Sequence, residues 1–154
     1  MKKLALIFLL LGSMILPGCG ADYEDESPQV VWTSPTNGTV DYLGKEILVS
    51  FDTEMMVESI TLSSVYVIDD TTSEVWPLIT SDPESTGCEV VISAVDPGAG
   101  QQTYANRTFL FDIDDTCILT PTSNLTLVVS QNVRSESGQT LEAPYRAHFT
   151  TGNL

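Results

Sequence analysis

From Gln29 onward the chain is a series of short β-branched and aromatic runs, each closed by Gly, Pro, Asn, Asp or Ser. Such runs read as strands joined by turns. Val30-Val31-Trp32-Thr33 opens the series and stops at Ser34-Pro35-Thr36-Asn37-Gly38. In Glu46 to Asp52, Ile47, Val49 and Phe51 share one face of a strand. Val65 to Ile68 and Glu74 to Ile79 follow, separated by the turn-like Asp69-Asp70-Thr71-Thr72-Ser73, and Pro77 makes the second of these an edge strand. Further runs are Glu89 to Val95, Thr108 to Ile113, Leu125 to Ser130 and Arg146 to Thr150. Only Thr53 to Ser63, with Met55, Met56, Ile60 and Leu62 unevenly spaced, predicts a helical turn. Seven or eight short strands with almost no helix predict an all-β fold, a sandwich of antiparallel strands.

The segment before Gln29 has a different pattern. Met1 is followed by Lys2 and Lys3, then by a thirteen-residue apolar run from Leu4 to Leu16 interrupted only by Gly12 and Ser13. A basic start, a short apolar stretch and a small-residue exit make a secretory signal peptide. The run is too short to span a bilayer, which takes about 20 apolar residues. Leu16-Pro17-Gly18-Cys19 resembles the bacterial lipobox, although Pro17 stands where that motif has Ala, Ser or Thr. The resemblance implies removal of residues 1–18 and lipidation of Cys19, with acyl chains such as palmitate as the membrane anchor. Each buried acyl CH₂ contributes about 0.8 kcal/mol, so several chains hold a protein firmly. Gly20 to Pro28 is acidic and aperiodic, a tether (19–28 with the lipidated Cys). Its acidic residues loosely resemble a surface-export signal of lipoproteins, and Gly20 is not the Asp of the inner-membrane retention signal. The expected location is the cell envelope, at the outer membrane on its periplasmic face or the cell surface.

Cleavage after residue 18 leaves 136 of the 154 residues, one domain's worth. It also removes Lys2 and Lys3, leaving Lys45, Arg107, Arg134 and Arg146 against 21 acidic residues, a formal charge of −17 (4 − 21). Such a chain repels phosphate backbones and anionic headgroups, which excludes nucleic acid as a partner and leaves membrane attachment to the lipid.

Val31-Trp32-Thr33-Ser34-Pro35-Thr36-Asn37-Gly38-Thr39-Val40, followed by Ile47 to Met55, resembles the opening of the bacterial Ig-like domain first described in S-layer proteins, the SbsA-type family. Leu125 to Val129, the turn Ser137-Gly138-Gln139-Thr140-Leu141 and the close His148-Phe149-Thr150-Thr151-Gly152 resemble a strand, a turn and the terminus of that family in order. The resemblance covers residues 29–152 and implies an Ig-like β-sandwich used as a spacer, adhesion or accessory module without catalysis. An extra segment near 81–105 departs from the family pattern.

With Cys19 committed to lipid, Cys88 and Cys117 remain, an even pair in an exported chain. If the runs around them form a hairpin with Cys88 opposite Cys117, Val90 faces Asp115, Ile92 faces Ile113 and Ala94 faces Phe111. That register places both thiols on the apolar side of the hairpin. A disulfide closing such a loop contributes roughly 3–4 kcal/mol in the chain-entropy model. Two reduced thiols are the alternative.

Residues able to carry chemistry are few. His148, the sole histidine, alternates with Phe149 and so faces solvent if Phe149 is in the core; no Gly-x-Ser-x-Gly elbow accompanies it. Asp112, Asp114 and Asp115 are the candidates for calcium, which takes clustered carboxylates, but the glycine and distal glutamate of an EF-hand are missing. Trp32 and Trp76 form a sugar platform if exposed and core if not. The function expected is a non-catalytic, lipid-anchored accessory, adhesion or structural module with an envelope or surface protein as partner and no resident cofactor. A carbohydrate- or calcium-dependent binding domain is the alternative. A small hydrolase has only abundant carboxylates behind it.

Overall fold

The computed structural model describes residues 26–75, 90–95, 106–114 and 122–153. Eight strands appear in the order β1 (Val30–Ser34), β2 (Thr39–Tyr42), β3 (Glu46–Phe51), β4 (Val65–Asp69), β5 (Val90–Val95), β6 (Thr108–Ile113), β7 (Asn124–Val129) and β8 (Tyr145–Thr151). They form two four-stranded sheets, β1-β3-β6-β5 and β2-β8-β7-β4. All pairings are antiparallel except that of β2 with β8, which is parallel.

Alternation builds the interior. Ile47, Val49 and Phe51 of β3 and Phe109, Phe111 and Ile113 of β6 point from the first sheet into a core shared with Val65 and Val67 of β4, Leu125, Leu127 and Val129 of β7, and Ala147 and Phe149 of β8. Phe51 and Phe109 meet edge to face at 6.2 Å. Strand β7 is buried on both sides: Thr126 and Val128, on its outward face, are each 1% exposed. The cross-strand neighbours of Val128 are Tyr66 and Arg146, whose long side chains suit them to cover it.

The helical turn expected within Thr53 to Ser63 is a single 3-10 turn, Val57–Ser59. The backbone there bonds across the sandwich: Met55 N–H donates to the Asn106 carbonyl (2.9 Å) and Met56 N–H to that of Arg134 (2.8 Å). Met55 and Ile60 thereby plug one end of the core. Strand β2 was not expected, because Thr-Val-Asp-Tyr carries no apolar alternation and Asp41 adopts a φ of 55°. It is held from outside: Gly38 N–H donates to the His148 carbonyl (2.7 Å) and Gly152 N–H to that of Tyr42 (3.2 Å). The turn before it needs Gly38, whose φ is +83°.

The expected register of the hairpin is corrected. β5 and β6 do pair antiparallel, but Ile92 faces Phe111 rather than Ile113, Val90 faces Ile113 and Ala94 faces Phe109. The shift is two residues, so the predicted faces survive while the partners change. On the other side of β6, Ile47 stands opposite Phe111 and Val49 opposite Phe109, so the apolar rungs run across all three strands. Cys88, Cys117 and Asp115 lie outside the described residues, as do Cys19 and Trp76. Of the extra segment 81–105, residues 90–95 are the fourth strand of the first sheet.

The turn after β4 behaves as its composition predicts. The Asp69 carboxylate accepts from Thr71 N–H (2.7 Å) and Thr72 N–H (3.2 Å), and the chain returns to pair Val75 with Ile68.

Phe109→Ala is expected to cost about 3–5 kcal/mol, and Val40→Ala, at a position 70% exposed, to stay within about 0.5 kcal/mol. Urea denaturation followed by tryptophan fluorescence measures both.

Candidate functional site

Two places among the described residues bring polar side chains together in ways that bear on function. The first is an open cleft of about 340 Å³ lined by Ser34, Tyr42, Gly44, Lys45, Glu46, Leu48, Asp112 and Ile113. Its walls come from the ends of β1 and β2, the start of β3 and the end of β6. Tyr42 shapes it: the ring packs edge to face on Phe149 (5.7 Å, 81°) and its hydroxyl donates to the Glu46 carbonyl. The ring folds over Gly44, where a Cβ would stand 2.5 Å from the Tyr42 hydroxyl. Burial raises the pKa of Tyr42 above the phenol's ordinary value, the Glu46 charge adds to this, and a hydrogen bond with Ser34 opposes it. At neutral pH the phenol is therefore a fixed donor, neither nucleophile nor base. Glu46 stands directly opposite Asp112 on neighbouring strands, both exposed. Like charges so placed repel, and they give this end of the sheet a negative rim.

The second place is a polar chain on the outward face of the other sheet. Thr126 on β7 is the cross-strand partner of His148 on β8 and of Ile68 on β4, with Asp70 just beyond β4. His148 Nδ1 lies 2.7 Å from Thr126 Oγ1, and Thr126 Oγ1 donates to Asp70 Oδ1 at 2.6 Å. Asp70 Oδ2 is 3.5 Å from His148 Nδ1. A hydroxyl has one proton, and here it goes to the carboxylate. Nδ1 of His148 must then carry hydrogen and donate to Thr126. Hydroxyl, imidazole and carboxylate are all present, but the proton runs opposite to the direction that activates a nucleophile, and Thr126 is only 1% exposed. The arrangement ties three strands together.

His148 faces outward and Phe149 is buried, as the alternation predicts. The Asp70–Thr126–His148 link was missed, because it depends on the β4–β7–β8 register, and no motif marks it. Asp112 and Asp114 are both exposed. Among the described residues no group of three His, Cys, Asp or Glu side chains is gathered to hold a metal ion. Trp32 is not core: it is 46% exposed on the outward face of β1, opposite Ser50.

Tyr42 gives a pH signature. Because its folded-state value is raised, its contribution is complete below the unfolded phenol value near 10 and is lost as pH rises from there through the folded one. Tyr42→Phe is expected to be less stable at pH 7 by about 1 kcal/mol, the lost hydrogen bond, and to unfold less steeply above pH 10 than the parent. Thermal melts across pH 7–11 test both.

Comparison with known proteins places this geometry. The profile of the Bacterial Ig-like domain matches residues 24–151. Among solved structures, surface layer protein SbsC, domains 1-6, aligns at 15% identity and a TM-score of 0.49, over 87% of this chain and 15% of that one. LD transpeptidase LdtMt1 in complex with imipenem aligns at 14% identity and 0.46, over 82% of this chain and 41% of that one. CopC from Methylosinus trichosporium OB3b aligns at 14% identity and 0.48, over 82% of this chain and 98% of that one. No curated protein sequence matches. With a profile match running from 24 to 151 and a two-sheet sandwich of eight strands behind it, the chain belongs to the family of bacterial Ig-like domains.

Proposed function

We propose that the chain is a non-catalytic Ig-like module of the cell envelope, held at the outer membrane by a lipid on Cys19 and acting as an accessory, adhesion or structural subunit. The observation that carries this reading is the family match over 24–151. Spacing and presentation are what a rigid sandwich with both sheets sealed onto one core performs well. The polar chain supports the non-catalytic part, since its one histidine donates to a buried hydroxyl that itself donates to Asp70. The anchor rests on Leu16-Pro17-Gly18-Cys19 and on the basic, then apolar, leader. The acidic residues between Cys19 and Pro28 suit a solvated tether that lifts the sandwich off an anionic surface. A disulfide between Cys88 and Cys117 belongs to the same reading, because the compartment is oxidising and the pair is even.

Expression in a lipoprotein-processing bacterium is expected to place the protein in the membrane fraction, with intact mass showing loss of residues 1–18 and addition of acyl glycerol to Cys19. Cys19→Ala is expected to move it to the soluble fraction. An unmodified Cys19 in the parent sinks the anchor. Labelling of free thiols in the native, oxidised protein is expected to leave Cys88 and Cys117 unreacted; labelling of both removes the disulfide from the proposal.

A further inference from the structure

Each four-stranded sheet has two edges, and three of the four are blunted. At β1 the register slips between Val30 and Trp32. At β2 it slips between Thr39 and Tyr42, with Asp41 in a left-handed conformation. Beside β4, the chain folds back to pair Val75 with Ile68. These are the devices by which sheets avoid stray pairing. Among the described residues, edge strand β5 has none of them. Val90 to Val95 run in unbroken register with Ile113 to Thr108, and Val-Val-Ile-Ser-Ala-Val contains no charge, glycine or proline.

Its side chains also show an open flank. Val90 and Ile92 face the core on the rungs of Ile113 and Phe111, which are 2% and 1% exposed, yet both remain only partly buried. Outward-facing Val91 is 55% exposed. One more strand alongside would cover all three.

Charge selects the occupant. The rung through Val91 continues to Asp112 and then to Glu46, both exposed. The chain carries 21 acidic against six basic residues, so a second copy adds repulsion, whereas a basic segment is attracted. Neighbouring strands lie roughly 4.8 Å apart. An Arg or Lys on an added strand beside Val91 lays its aliphatic stem over that exposed valine and brings its cation toward Asp112.

We propose that the β5 edge receives an extended segment of a partner protein by strand addition, with apolar residues turned inward and Arg or Lys on the rung of Val91 and Asp112. Main-chain hydrogen bonds then supply affinity and alternate side chains supply selectivity. This deepens the accessory role by naming a partner class, but it rests on β5 alone and not on the anchor.

The test uses the purified full chain and a short synthetic peptide with valine at the inward positions and threonine at the outward ones, two of the outward threonines replaced by arginine, followed by fluorescence anisotropy. Saturable binding is expected, and methylation of alternate peptide amides is expected to abolish it. Exchange of the arginines for glutamate is expected to weaken binding by about tenfold or more. Asp112→Asn, on an exposed position, is expected to weaken the arginine peptide severalfold and to leave an uncharged version unchanged. Absence of binding, equal binding of the methylated peptide, or indifference to peptide charge overturns the proposal. So does a concentration-dependent dimer that competes with the peptide, which assigns the edge to a second copy. Cys19→Ala is expected to bind like the parent, so failure here and failure of the anchor are read separately.

Discussion

The mutual burial of two apolar faces is the constraint on which the remaining architecture depends. Val49, Phe109 and Phe111 from one sheet, and Val67, Leu125 and Leu127 from the other, are each at most 1% exposed. Neither face is stable in water alone, because a sheet has to bury its apolar side against another layer. Once the faces close, the loops lose their freedom. Met55, Ile60, Val133 and Leu141 join the same core from outside the strands, and the 53–63 segment is drawn into backbone bonds with the loops at Asn106 and Arg134. Chain conformation at this end is set by where the core stops.

That dependence explains which elements were legible. β3 and β6 declare themselves because every second position is apolar and buried, Ile47, Val49 and Phe51 in one and Phe109, Phe111 and Ile113 in the other, while the positions between include polar residues. The family resemblance at both ends of the domain agrees with the profile match. β2 was illegible because its place comes from Phe149 and Thr151 on a strand more than a hundred residues later, not from its own composition. The hairpin shows what alternation leaves open: a register shifted by two residues keeps the same faces, so the apolar pattern of β5 and β6 sets the face but not the partners.

Candidate chemistry followed the same division. That His148 faces outward could be read from one alternation with Phe149. What its ring nitrogen does could not, since Thr126 and Asp70 reach it from two other strands. Trp32 sits beside a register slip, and a single extra residue in a strand turns a side chain from one face to the other. A tryptophan in an apolar run is thus ambiguous until the bulge is known.

The parallel pairing of β2 with β8 has a mechanical consequence. The chain passes from β1 in the first sheet to β2 in the second through the turn ending at Gly38, so the upstream segment is stitched to the last strand. Tension between the two chain ends draws β2 toward its own start and β8 toward its own finish. In a parallel pair these pulls slide the strands past each other, and the bonds from Gly38 to His148 and from Gly152 to Tyr42 bear the load together instead of unzipping in turn. A domain fastened at its beginning and pulled from its end would hold by shear.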